Sequence, residues 1–289
     1  MSGRRDDEVT GLALYDQTAR DAAAAVIAAY STSFGLASRM LGPRVRPHVR
    51  NVYALARVAD EIVDGPAGAA GLSTEAQRGV LDDLEAETMA AIERGFSANL
   101  VVHAFAQTAR ECGIGEDLVR PFFRSMRTDL TTGSHDGASH DEYVYGSAEV
   151  IGLMCLQTFV NAGSPAPRDP EPSLVEGARR LGAAFQDVNF LRDADHDGDA
   201  LGRDYLASET REQVLARIDA DLAAAAAVIP RLPPDCRRAV TAAHDLFAAL
   251  AVRLRREPAA TTRVRVPDPV KAALAARAWL GFSPRSARA

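Results

Sequence analysis

Two lines of polar side chains recur at helical spacing in distant parts of this 289-residue chain. In PHVRNVYALARVADEIVDG (47–65), Tyr53, Arg57, Asp60 and Asp64 follow one another at intervals that stack them on one helix face. In LGAAFQDVNFLRDADHD (181–197), Gln186, Asn189, Asp193 and Asp197 do the same, with Gly182 one turn earlier. Val49, Val52, Ala56, Ala59 and Val63 flank the first line, and Leu181, Phe185 and Val188 the second. A solvated helix face explains either acidic pair alone. Two polar lines set among apolar neighbours fit it poorly, because like charges one turn apart weaken a helix by tenths of a kcal/mol. Paired aspartates on facing helices suit Mg²⁺, a hard cation shared between carboxylates and phosphate oxygens. Arg57, one turn before Asp60, then serves as a planar fork for phosphate. The composite reads as a diphosphate site.

The segment from Asp193 to Asp204 also carries Asp195, Asp197 and Asp199, and it offers a rival chemistry. Asp193-x-Asp195-x-Asp197-Gly198 matches the opening of a calcium-binding loop, glycine included. Its twelfth position is Asp204 rather than the usual Glu, no second loop of the kind occurs, and the Tyr53–Asp64 line is left unexplained. The two readings part at Asp195. A calcium loop needs it, whereas on a helix it points about 200° away from Asp193.

Helices must position these groups, since runs of alternating β-branched residues do not occur. Periodicity predicts helices near 15–30, 31–41, 47–64, 74–94, 97–112, 116–130, 139–162, 173–197, 210–229, 233–256 and 267–280. The breaks at LGPRVRP, DGPAGAAG, NAGSPAPRDPEP and IPRLPPD are too short to link independent domains. One all-α domain over 15–280 is therefore expected, with a disordered N-terminus (1–14) and a frayed tail (281–289). A net charge of −6 argues against a nucleic-acid partner. Cys112, Cys155 and Cys236 form no CxxC pair, as in a reduced, cytoplasmic protein. The first residues lack the apolar core of a signal peptide, and the longest apolar runs fall short of the ~20 residues a span needs. Peripheral membrane contact and oligomeric state stay open.

At these residues the chain resembles the squalene/phytoene synthase family of head-to-head isoprenyl diphosphate synthases, from about Tyr30 to Lys271. YSTSF (30–34) is similar to the family's H-S-K-S-F segment, departing at Tyr30 and Thr32. YALARVADEIVD (53–64) matches its first aspartate-rich motif, with Glu61 in place of a common Asp, and LGAAFQDVNFLRDADHD its second. YVYGSAEVIGLM (143–154) resembles a tyrosine-containing helix, departing at Ser147 and Glu149, and GRDYL (202–206) resembles the segment after the second motif. The likeness is greatest to phytoene synthases of the actinobacterial type.

The resemblance implies an isoprenoid-synthase helical bundle around a central apolar cavity. It implies Mg²⁺ sites at Asp60, Asp64, Asn189, Asp193 and Asp197, with two or three ions when diphosphate is bound. Tyr30, Ser31, Ser33, Phe34, Tyr53, Arg57, Gln186, Asn189, Arg192, Arg203 and Tyr205 would meet substrate. Tyr143 would help handle the departing diphosphate or the cation, and the change at Glu149 would alter the cavity. Phe34, Leu153, Met154, Phe159 and Phe185 are candidate lining, although each also suits ordinary core packing. The implied activity joins two geranylgeranyl diphosphates to phytoene without NADPH. Three alternatives stand beside it: a C15 sibling making squalene, dehydrosqualene or hydroxysqualene, a relative prenylating another acceptor, and a non-catalytic binding module.

Overall fold

Caps and breakers set the helix ends. Pro47 opens α3 (Arg46–Val63), and Gly65, at a φ of +124°, turns the chain away after it. Ser73 caps α5 (Thr74–Arg94) by accepting from the Ala76 amide, and Asn99 caps α6 (Leu100–Cys112) likewise. Thr210 and Gln213 form a reciprocal capping box at α11 (Arg211–Val228).

The computed structural model describes residues 10–31, 33–131, 137–196, 209–256 and 264–285, less the side chains of 33, 34, 36, 137, 138 and 194–196. Among the described residues there is no strand. The remaining helices are α1 (Gly11–Tyr30), α2 (Ser33–Arg39), α4 (Pro66–Ala69), α7 (Glu116–Asp129), α8 (Gly137–Val144), α9 (Val150–Asn161), α10 (Pro172–His196), α12 (Pro234–Arg256) and α13 (Asp268–Trp279). Helix α1 begins at Gly11. At the other end the Arg285 amide donates to Oδ1 of Asp245 on α12 at 2.8 Å.

The predicted helix over 139–162 is interrupted by a π turn, Tyr145–Glu149. A Cβ on Gly146 would lie 2.1 Å from Ser125 Oγ and 2.4 Å from the Pro121 carbonyl, so α7 crosses directly over this turn. The turn adds one residue and rotates everything after it by roughly 100° relative to a continuous α-helix. Continuous periodicity from Tyr143 directs 150 and 154 toward the interior cavity; the rotated helix directs Ile151, Gly152 and Cys155 there instead. Leu153 and Met154, expected as lining, are packed in the core.

The two larger apolar clusters build most of the interior. One joins α3, α5, α6, α7 and α9, and the other joins α10, α11, α12 and the strap at Val264–Val266. Members of both line the cavity between them, Val49 and Leu156 from the first, Leu250 and Val266 from the second. Arg44 ties the ends together, gripping Asp235 with two nitrogens (2.8 and 3.0 Å) and donating to the Phe159 and Ala162 carbonyls at the end of α9. By length and composition Ser139–Asn161 could also cross a membrane. Here its apolar residues meet core on one side and cavity on the other.

Candidate active site

The cavity has a volume of about 780 Å³. Helix α3 contributes Tyr53, Arg57 and Asp60 to its wall, and α10 contributes Gln186, Asn189 and Arg192. Part of each polar line therefore borders one hollow, whereas Asp64 and Asp193 are not among its lining residues. Tyr30, Ser31 and Tyr143 also line it, and Phe122, Met126, Ile151, Leu156, Phe159 and Phe185 supply apolar wall. Phe185 is fixed by stacking on Phe247 at 3.8 Å between centroids.

Glycine permits the close fit of α10 to the opposite wall. A Cβ on Gly182 would sit 2.7 Å from the Ala148 carbonyl oxygen, and one on Gly152 would sit 2.6 Å from that of Ala178. Those contacts hold the Gln186–Asp193 line at a set height against the π turn.

Electrostatics concentrate at the C-terminal end of α3. Burial and the neighbouring Asp64, which hydrogen-bonds to it, push the Asp60 carboxyl up to about 7, despite Arg57 donating to Oδ2 at 2.7 Å. Arg57 also bonds Glu61 and stacks over the Tyr30 ring at 4.7 Å. A further carboxylate, Asp129 of α7, lies close enough to raise Asp60 and accepts from Tyr143 Oη at 2.9 Å. Asp129 was not among the residues singled out in the sequence. Its signal is there: Ser125 and Asp129 sit one turn apart among Phe122 and Met126, a polar line on an apolar face.

On α10, Arg192 holds its neighbour Asp193 with a two-nitrogen fork at 2.9 and 2.6 Å. Ser31 Oγ accepts from the Gly35 amide at 3.1 Å and bonds Tyr53, whose phenol is raised by burial. Asp197, Arg203 and Tyr205 lie outside the described residues, as do the side chains of Ser33 and Phe34. The calcium-loop reading fails on the backbone: α10 runs helical through His196, which takes the first four loop positions into a helix. Glu149 pairs with Arg179 at 2.6 Å and faces a second cavity behind α10, away from the main one.

Among the described residues no three His, Cys, Asp or Glu side chains converge as a ready-made metal cage. Asp60 and the amides of Gln186 and Asn189 line the cavity, with Asp64 bonded to Asp60 behind that lining, and Mg²⁺ can bind through one or two carboxylates plus water and substrate phosphates. Burial first, and then the charge of Asp64, raise the Asp60 carboxyl, and a cation bound there would offset both.

An all-α bundle enclosing an apolar hollow with oxygen ligands at its wall is the architecture of an isoprenoid synthase. The chain belongs to the squalene/phytoene synthase family, a class of prenyltransferases, matching it over residues 27–213. It is 25% identical over 260 residues to the 15-cis-phytoene synthase of Paracoccus sp. (strain N81106 / MBIC 01143), covering 82% of each chain. To the presqualene diphosphate synthase of Zymomonas mobilis it is 28% identical over 238 residues, covering 81% of this chain and 75% of that one. Against phytoene synthase 3, chloroplastic, of Zea mays it is 30% identical over 188 residues, 63% of this chain, and spans only 41% of the relative's length. Among solved structures, a dehydrosqualene synthase in complex with ligand superposes with a TM-score of 0.76 at 21% identity, covering 92% of this chain and 97% of that one.

Proposed function

We propose that the chain joins two geranylgeranyl diphosphates head to head, through a cyclopropylcarbinyl diphosphate, to phytoene. The observation that carries this is that Tyr53, Arg57 and Asp60 of α3 and Gln186, Asn189 and Arg192 of α10 line one largely apolar cavity. Similarity over 82% of both chains to a 15-cis-phytoene synthase supports the C20 substrate.

In the first half-reaction the C–O bond to one diphosphate breaks. The double bond of the second chain attacks the allylic cation, and loss of a proton closes the cyclopropane. The second diphosphate then leaves, the ring opens with rearrangement, and a second proton loss gives the C40 hydrocarbon, so two diphosphates and two protons depart in all. Mg²⁺ held by Asp60, Asp64, Asn189, Asp193 and Asp197 would supply charge neutralisation at the leaving oxygens. Arg57 and Arg192, each now paired with carboxylates, are the forks that would turn to diphosphate. Phe122, Phe159, Phe185 and Leu156 keep water from the cation. Tyr143, whose hydroxyl donates to Asp129 in the wall of the cavity, would turn that donor toward the departing diphosphate.

The second reading is a C15 sibling, favoured by the likeness to a presqualene diphosphate synthase. One assay separates them: the purified chain with Mg²⁺ and C15 or C20 diphosphate, with and without NADPH, followed by product mass. A C40 product from C20 substrate without NADPH is expected. Turnover of C15 alone establishes the sibling, and binding without diphosphate release overturns both.

A further inference from the structure

Between Asp21 and Asp60 the chain has five arginines and no acidic residue, in a molecule of net charge −6. Two of the five are neutralised. Arg44 grips Asp235, and Arg57 holds Asp60 and Glu61. Arg39, Arg46 and Arg50 have no carboxylate partner among the described residues.

Local structure gathers these three. Arg39 ends α2, Arg46 is the first residue of α3, and Arg50 lies one turn further along the same face. Arg46 reaches back past the end of α2, where its Nε and Nη2 donate to the Leu41 carbonyl at 2.9 and 2.5 Å. Burial, and then the charges of Arg46 and Arg39, hold the Arg50 guanidinium below its ordinary range. Its Nε is buried and has no hydrogen-bond partner. An arginine that merely packs its stem against the surface keeps its head in water, and this one does not. Arg46 and Arg50 also stand in the first turns of α3, the end of the helix dipole that disfavours cations. The arrangement is unfavourable for the protein alone, and an anion would reverse each term.

We infer that Arg39, Arg46 and Arg50 form a second anion site, which takes free phosphate or diphosphate without a metal. Guanidinium forks match the oxygens of a phosphoryl group in both charge and geometry. A small anion can also reach a recessed donor. A flat membrane or protein surface would meet exposed Arg39 but not the buried Nε of Arg50. The site is distinct from the forks of the main cavity, because Arg57 and Arg192 are already held by carboxylates. None of the three arginines lines that cavity.

The test is equilibrium dialysis of the full chain against labelled inorganic diphosphate in EDTA, which removes metal-dependent binding. Saturable uptake at one site is expected, weakening as salt screens the arginines. R39Q/R50Q should weaken it about tenfold or more, since two charged donors are lost. R39Q alone, at an exposed position, should weaken it in the same direction and decides the matter should the double variant unfold. R57Q should bind as well as wild type. Absent uptake, or uptake that folded R39Q/R50Q retains in full, overturns the inference. So does uptake that R57Q removes, which would give the anion to the main cavity. Uptake confined to vesicles of phosphatidic acid overturns it as well, by giving the patch to a lipid surface. Binding at Asp60 is read apart from this site, as the increment that Mg²⁺ adds to diphosphate alone. No prenyl substrate enters the assay, so its failure leaves the catalytic reading standing, and failed turnover leaves this site standing.

Discussion

Asp60 is caught between burial, the charge of Asp64 and the Arg57 fork. A side chain in that position suits charge stabilisation at a leaving group better than it suits stability. Asp60→Asn should therefore lower kcat by about 10²–10³-fold, the range for removing a preorganised electrostatic contact. Far-ultraviolet circular dichroism should be unchanged; an inactive but unfolded variant would not count in favour. Asp195→Asn should be mild by the helical register, and equal damage from it would show that register to be wrong. The three cysteines make a separate case. Burial pushes Cys112, Cys155 and Cys236 up to about 12, so the thiolate is scarce at pH 8. Iodoacetamide followed by mass spectrometry should label them slowly in the folded chain and fully in denaturant.

Between elements, packing at glycine and one buried ion network decide how α10 is held. A methyl at Gly182 meets backbone of the π turn, which cannot yield as a flexible side chain would. Gly182→Ala should cost about 1–3 kcal/mol, the range for overpacking. Gly79 lies in the exposed middle of α5 with nothing within 4 Å of its would-be Cβ. Gly79→Ala should stabilise by up to about 1 kcal/mol, and the two urea midpoints should move in opposite directions. Behind α10, Asp187 is 1% exposed and takes two nitrogens of Arg217, at 2.7 and 3.2 Å, while Arg217 also reaches Glu209 and His140. Arg217→Ala would leave that carboxylate buried without its main partner, a loss of about 3–5 kcal/mol in urea unfolding.

For the whole molecule, Asp60 of α3 and Asn189 and Arg192 of α10 line one cavity from positions more than a hundred residues apart, so binding there and folding are linked. Mg²⁺ with inorganic diphosphate should raise the melting temperature in a concentration-dependent way, by about 2.7 kcal/mol of stabilisation at a hundredfold excess over Kd. Asp60→Asn should abolish that shift. A shift that survives the substitution would place the metal elsewhere. The second cavity, with Glu149 and Arg179 in its wall, should be indifferent to the same additions.

Much of this was legible in residue spacing. Helix positions followed from period and punctuation, because each end is set by a local device such as Pro47, Ser73 or the Thr210–Gln213 box. The polar lines of α3 and α10 were visible because a helix carries every third or fourth residue onto one face. Spacing could not show the π turn, which arises where α7 presses on Gly146 and which rotates Ile151 and Cys155 into the cavity in place of Leu153 and Met154. It could not show Asp129 beside Asp60, nor Glu149 turned toward Arg179 and away from the main wall. Local chemistry determined the elements and their polar faces; which faces meet was decided by close packing between helices, a property of pairs that no single segment carries.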